Sequence, residues 1–164
     1  VGSLVLPAVA LADIKMGIIL GFTGPIESLT PDMAGSAELA FKEASDSGNL
    51  LGGEKIIPVR ADSTCIDAAA ATTAAERLVT AEKVAGIMGA DCSGVTIAVA
   101  NNVAVPNGIP MVSPSATSPA LSTISDNGYF FRTAPSDARQ GQLLAEITLS
   151  RGIKSVAVTY VNSY

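Results

Sequence analysis

The chain has no histidine and no tryptophan, only 3 Tyr and 4 Phe, and charged residues at just 15% of its 164 positions. The missing His removes the commonest general base and the commonest metal ligand, so Ser-His-Asp, Cys-His and His-metal chemistry cannot be assembled from these residues. Aromatics at 4% leave the core to Ala, Val, Ile and Leu, which suits closely packed layers of helix and strand. The charge content lies below the roughly 25% of ordinary soluble domains. With a mean hydropathy of +0.42, it speaks against wholesale disorder. Basic residues are scarce as well: 10 Lys+Arg against 15 Asp+Glu give a net charge of −5 with no basic cluster. Nucleic acid is therefore excluded as a partner, because its binding needs several phosphates neutralised at once.

What is present is 48% hydrophobic residues and a length that suits one ordinary domain. The two ends carry separate expectations. Residues 1–12, VGSLVLPAVALA, form a nearly unbroken apolar run ending in Ala10-Leu11-Ala12 ahead of Asp13-Ile14-Lys15. Small residues at the first and third positions of that triplet fit a signal-peptidase site between Ala12 and Asp13, and a first residue that is Val rather than Met fits a sequence starting inside a signal peptide. The run is too short to cross a bilayer, which takes about 20 residues. A buried strand or an unstructured N-terminus is the competing reading. At the other end Ser155–Val161 is rich in β-branched residues and reads as a strand. Such a strand needs a helix to cover it, so the fold is expected to continue beyond Tyr164.

Between the ends, β-rich runs alternate with helical patterns. Strands are expected at 14–20, 55–61, where Pro58 suits a sheet edge, 84–88, 109–112 and 129–133. Thr30 is expected to cap a helix with Pro31 in its first turn and Met33, Ala37, Ala40, Phe41 and Ala44 on one face. Asp67 caps a second helix with Ala71, Ala74, Leu78 and Val79 inward, and Val95–Val105 reads as a third. Pro119 opens a short helix, and Asp137 with Gln140 has capping-box spacing ahead of a helix whose buried face is expected to be Leu143, Leu144 and Ile147. This alternation implies right-handed crossovers and a doubly wound α/β fold, a parallel sheet with helices on both faces.

Ligands in such a sheet bind beyond the carboxyl ends of its strands. The residues there are Thr23-Gly24-Pro25, Cys92-Ser93-Gly94 and Ser113-Pro114-Ser115-Ala116-Thr117-Ser118-Pro119. Hydroxyls and free N–H groups at helix N-termini suit an anion, and a carboxylate is the natural one. Each Ser or Thr taken singly reads better as an N-cap or turn residue; only their convergence favours a site. A nucleotide cofactor is disfavoured, because Gly21-Phe22-Thr23-Gly24-Pro25 lacks the G-x-G-x-x-G spacing and Pro25 removes a donor. Asp62 and Asp91 fit as ordinary strand-end residues. Cys65 and Cys92 follow the second and third strands at one sheet edge. A disulfide there is feasible and would stabilise by roughly 3 to 4 kcal/mol, two buried thiols being the alternative. Two Cys without His make a poor zinc site, so neither metal nor cofactor is expected.

These residues together resemble the branched-chain amino-acid (Leu/Ile/Val) type of periplasmic substrate-binding protein that serves ABC importers. The likeness runs from Asp13 to Tyr164 through Thr23-Gly24-Pro25, Asp62-Ser63-Thr64-Cys65, Cys92-Ser93, Ser113–Thr117, Arg132-Thr133-Ala134 and Asp137 with Gln140-Gly141. It implies the type I binding-protein architecture of two α/β lobes closing on a cleft. Residues 1–12 would be a signal-peptide remnant, 13–133 the first lobe and 134–164 the start of the second. It further implies that Ser93, Ser115 through its backbone, Ala116 and Thr117 hold the ligand's α-carboxylate, that Asp137 and Tyr164 approach from the facing lobe, and that Cys65 pairs with Cys92. Leu29 stands where the family often has an aromatic over the ligand, and the family's acidic partner for the ligand ammonium would lie beyond Tyr164.

The resulting expectation is a non-catalytic, exported receptor, monomeric at full length, that passes an amino acid, branched-chain or a related carboxylate, to a membrane permease. Two other readings stand beside it. One is a sensor of the same fold for amides or urea-like solutes. The other is a hydrolase using Ser93 or Ser115, disfavoured because neither sits in a G-x-S-x-G elbow.

Overall fold

The structure, a computed structural model, describes residues 13–160. The expected signal remnant and Tyr164 lie outside the described residues. Five strands form one wholly parallel sheet: β1 (Ile14–Leu20), β2 (Ile56–Asp62), β3 (Gly86–Gly89), β4 (Met111–Ser113) and β5 (Phe130–Arg132), in the order β2-β1-β3-β4-β5. The helices are α1 (Thr30–Asp46), α2 (Ala68–Thr80), α3 (Ser93–Val99) and α4 (Asp137–Ser150). A π-helical turn at Ala100–Ala104 continues α3, and a 3₁₀ turn spans Pro119–Ser122. This is the doubly wound α/β fold, with β3 central, β1 beside it and Pro58 on the edge strand β2, where a missing N–H costs no ladder bond.

Alternation along β1 divides the core in two, as the period of a strand requires. Ile18 and Leu20 face α1, where Ala34 is buried and Phe22, Met33, Ala37, Phe41 and Met88 pack around them. Ile19 faces the other way and joins the larger core, with Ala71, Ala75 and Leu78 of α2, Val95 and Val99 of α3, and Ile87, Met111 and Phe130 of the sheet. That second core rests on small residues. Gly89, at φ 130°, lies so close to β1 that a Cβ there would stand 2.0 Å from the Ile19 carbonyl oxygen.

Several local expectations shift. Strands β2 to β5 begin one or two residues later than the sequence suggests, and the third helix starts at Ser93, two residues earlier. Asp67 does cap α2, its Oδ1 accepting from the N–H groups of Ala69 (2.9 Å) and Ala70 (3.0 Å). Thr30 does not cap α1. Leu29 holds that position without a side-chain bond, and buried Thr30 instead donates its hydroxyl to the carbonyls of Gly21 (3.2 Å) and Glu27 (3.3 Å), tying the helix to the β1 loop. On α1 Ala34 is the buried alanine, whereas Ala40 is exposed. The cap of α4 is Ser136, whose Oγ accepts from the Ala138 N–H, with Asp137 in the first turn.

Two expectations about the last third are corrected. Leu143, Leu144 and Ile147 are 40%, 57% and 47% exposed, and α4 buries none of its residues. No layer among the described residues covers that face. Residues 155–160, expected within a strand, belong to none and are exposed, because no neighbouring strand among the described residues offers them a ladder.

Candidate functional site

The carboxyl ends of β1, β2, β3 and β4 meet at one edge, and Asp91 joins them. Its Oδ2 accepts from the Gly21 N–H (2.7 Å) after β1, and its Oδ1 accepts from the Ser63 hydroxyl (3.3 Å) after β2 and from the Cys92 N–H (2.9 Å). Its main-chain carbonyl accepts from the Ser115 hydroxyl (3.0 Å) in the β4 loop. Four loops are thus held through one residue. Beside it the Cys65–Cys92 disulfide closes, with Cα atoms 5.2 Å apart, so the pairing implied by the resemblance is present. Thr64 and Cys65 both take positive φ, 58° and 69°, in the turn that delivers Cys65 to its partner.

The β4 loop is held from both sides. Ser93 Oγ accepts from the N–H groups of Thr117 (3.2 Å) and Ser118 (3.1 Å), and Ser113 Oγ accepts from Ala116 N–H (3.1 Å). Arg132 on β5 donates through Nη1 to the carbonyls of Ala116 (3.3 Å) and Ser118 (2.8 Å). On the β2 side Asp62 accepts from the Thr23 hydroxyl (2.5 Å) and the Thr64 N–H (2.8 Å). Partial burial works to raise the Asp62 pKa, but those bonds and further main-chain donors hold its carboxyl below its ordinary value. Gly24, at φ 97°, allows the β1 loop to pass here, since a Cβ would stand 2.5 Å from the Thr64 carbonyl oxygen.

Ser93, Ser115 and Thr117 come together with Cys65, Ile66, Asp91 and Cys92 around a cavity of about 260 Å³. That volume falls just below the roughly 300 Å³ at which small-molecule sites begin. No acceptor among the described residues takes the Ser93 proton, which leaves that hydroxyl free to donate. Ser93, Gly94 and Val95 open α3, whose first-turn N–H groups have no acceptor within the helix. The free Ser93 hydroxyl, beside Ser115 and Thr117 in the lining, is a donor from which a carboxylate can accept.

Ala116 is buried behind this wall and does not line the cavity. Asp137 lies in an adjoining recess, linked by the Thr117 hydroxyl donating to its Oδ2 (2.9 Å) and by its own N–H donating to the Thr117 carbonyl (3.0 Å). Leu29 is exposed and is not among the lining residues. Asp91 and Arg132 are the organising residues to which the sequence assigns no role, Arg132 entering only within the Arg132-Thr133-Ala134 motif. A single acidic residue next to Cys92 at a strand end was the available signal for the first; for the second there was only a basic residue at the end of β5. A groove of about 680 Å³ between α4 and residues 153–158 is mainly apolar and lies against the uncovered α4 face. Among the described residues no group of three or more His, Cys, Asp or Glu is placed to hold a metal ion, and no helix is long and apolar enough to cross a membrane.

The wholly parallel α/β sheet, with a cavity at its carboxyl edge, has the type I periplasmic-binding-protein fold. The chain belongs to the periplasmic binding protein family, which it matches over residues 13–164. It is 35% identical over 142 residues to the Leu/Ile/Val-binding protein homolog 7 of Brucella abortus (strain 2308), covering 85% of this chain and 34% of that protein. The branched-chain amino acid transporter substrate binding protein LivJ of Streptococcus pneumoniae, solved in complex with isoleucine, superposes with a TM-score of 0.75 at 29% identity, over 84% of this chain and 38% of that one. A solute binding protein of an ABC transporter from R. palustris, in complex with benzoate, gives 0.72 at 25% identity, over 86% and 38%. The chain thus spans about a third of the length of the curated relative. The family and these matches are binding proteins rather than enzymes, which leaves the hydrolase reading without support.

Proposed function

We propose that the whole protein is an extracytoplasmic receptor that captures an amino acid or a related small carboxylate and delivers it to the membrane permease of an ABC importer. The observation that carries this reading is the convergence of Ser93, Ser115 and Thr117 on one cavity at the carboxyl edge of the sheet. A ligand carboxylate would accept a hydrogen bond from the Ser93 hydroxyl and compete with Ser93 Oγ for the Thr117 N–H, exchanging one set of hydrogen bonds for a charge-assisted set. Ser115 and Ala116 would serve through the loop backbone, and Asp137 would face the ligand from the adjoining recess. The ligands named for the two solved relatives, isoleucine and benzoate, share a carboxylate and little else, which supports the same chemistry here.

In this reading residues 13–133 form the first lobe, 134–164 begin the second, Tyr164 approaches the ligand from that second lobe, and 1–12 are the remnant of an export signal. The receptor works as a monomer at full length, and closure of two lobes excludes water from the bound solute. Isothermal titration of the full-length protein against the proteinogenic amino acids and benzoate tests it. Saturable heat with at least one carboxylate is the expected result, weakened by Ser93→Ala; silence across the panel would overturn the proposal.

A further inference from the structure

Two peptide groups converge on the Ser93 hydroxyl oxygen, which accepts from the Thr117 N–H (3.2 Å) and the Ser118 N–H (3.1 Å). The carbonyl at the far side of each is also taken. That of Ala116, which shares its peptide group with the Thr117 N–H, accepts from Arg132 Nη1 (3.3 Å). That of Thr117, which shares its peptide group with the Ser118 N–H, accepts from the Asp137 N–H (3.0 Å) in the first turn of α4. Arg132 is half-buried and also donates to the Ser118 carbonyl (2.8 Å) and the Ser122 hydroxyl. It takes part in none of the ion pairs among the described residues, so no carboxylate in contact offsets its charge. Ser93 and Thr117 line the cavity; Arg132 stands behind them and does not.

We infer that Arg132 is a positioning residue for solute capture: from behind the cavity wall its charge strengthens the hold on a carboxylate, acting through the Ala116–Thr117 peptide and the Ser93 hydroxyl. The inference rests on reading this cavity as the carboxylate site, and it adds to that reading a residue that never touches the solute. A carbonyl that accepts from a cation polarises its peptide group, and the N–H at the other end becomes a better donor. Chains of hydrogen bonds strengthen one another in this way. Ser93 Oγ receives two such donors and gives up electron density, so its own proton is offered more strongly to an acceptor in the cavity. Ala116 is 1% exposed, which keeps this link away from water, where charge is least screened. The position also avoids a desolvation cost. A guanidinium in the lining would shed water for every solute, whereas Arg132 keeps the same protein partners throughout.

Isothermal titration of the full-length protein tests this, with the proteinogenic amino acids and benzoate as probes, on the wild type, Arg132→Met, Arg132→Lys, Ser93→Ala and the double variant Arg132→Met with Ser93→Ala. Arg132→Met should weaken each carboxylate that saturates the wild type by about fivefold, the scale that separates hydrogen bonds backed by a charge from neutral ones. Arg132→Lys keeps the charge and should regain most of that loss. With Ser93→Ala already in place, Arg132→Met should change affinity by less than about twofold, because the last link of the chain is gone. A residue that merely braced the loop would cost the same in both backgrounds. Should Arg132→Met fail to fold, Arg132→Gln, which keeps a donor and removes the charge, takes its place; should Ser93→Ala leave no measurable heat, the Met and Lys variants still decide. Unchanged affinity in Arg132→Met, equal losses for Met and Lys, or equal losses with and without Ser93→Ala would overturn the inference and leave the receptor reading standing. No binding of any probe to the wild type would overturn both.

Discussion

Residues 14–132 and residues 137–160 are built from similar side chains and reach opposite ends. In the first stretch Ile18, Ile19, Leu78 and Ile87 are sealed between sheet and helices. In the second, α4 displays Leu143, Leu144 and Ile147 to solvent, and Val156 and Val158 beside it are exposed. Both helices α2 and α4 are capped at their N-termini by a side-chain oxygen, from Asp67 and Ser136. Local signals thus form a helix in either place. Burial needs a second surface, and only β1 to β5 supply one among the described residues.

The sharpest way to break this contrast is truncation of a leucine on each side. In this chain Leu78→Ala should cost about 3 to 5 kcal/mol by urea unfolding, because α2 and the sheet cannot close the void, whereas Leu144→Ala should stay within about 0.5 kcal/mol. Next in size is the Cys65–Cys92 bond. Replacing both cysteines by Ala should cost about 3 to 4 kcal/mol from the loss of a crosslink between residues 27 apart, visible as a lowered midpoint that added reductant no longer shifts.

Caps refine the comparison. Asp67→Ala should lower global stability by about 1 kcal/mol. Ser136→Ala should instead speed amide exchange within α4 and leave the unfolding midpoint of the sheet in place. The smallest expected effect is the acid response. Asp62 has a lowered folded-state value, so its bonds add stability above the ordinary carboxylate range, and that share is lost as pH falls through the lowered value, below about pH 4. Asp62→Asn should flatten the melting temperature against pH in that window without touching α4, and an unchanged acid slope would remove Asp62 from the account.

The same contrast marks what was legible in the residues. Alternation of apolar runs placed every strand of the sheet, and Pro58 pointed to an edge, because those signals are local. Ser93, Ser115 and Thr117 could be read as one cluster because strand order in a parallel sheet delivers loop residues to a common edge. Thr30 misled, since its hydroxyl answers to the Gly21 carbonyl across the turn rather than to its own helix. Asp91 looked like any strand-end carboxylate; its partners Gly21 and Ser63 come from 70 and 28 residues away, and no spacing along the chain reveals them. The apolar face of α4 was read correctly as a pattern, but burial also depends on what lies opposite.

The disulfide also fixes how the chain comes apart under load. Cys65 follows β2 and Cys92 follows β3, and in the sheet β1 lies between those strands, so the bond straps across the end of β1, with Cys65 Cβ just 3.2 Å from where a Cβ on Gly21 would be. The ring it closes holds α2 and β3. Pulled by its two ends, the oxidised polypeptide keeps that 27-residue interval as slack it cannot release, roughly 90 Å of contour at full extension. The edge that carries the cavity is therefore mechanically the shortest-tethered region of the molecule, and stretching would draw out the ends of the chain while those loops stay fastened together.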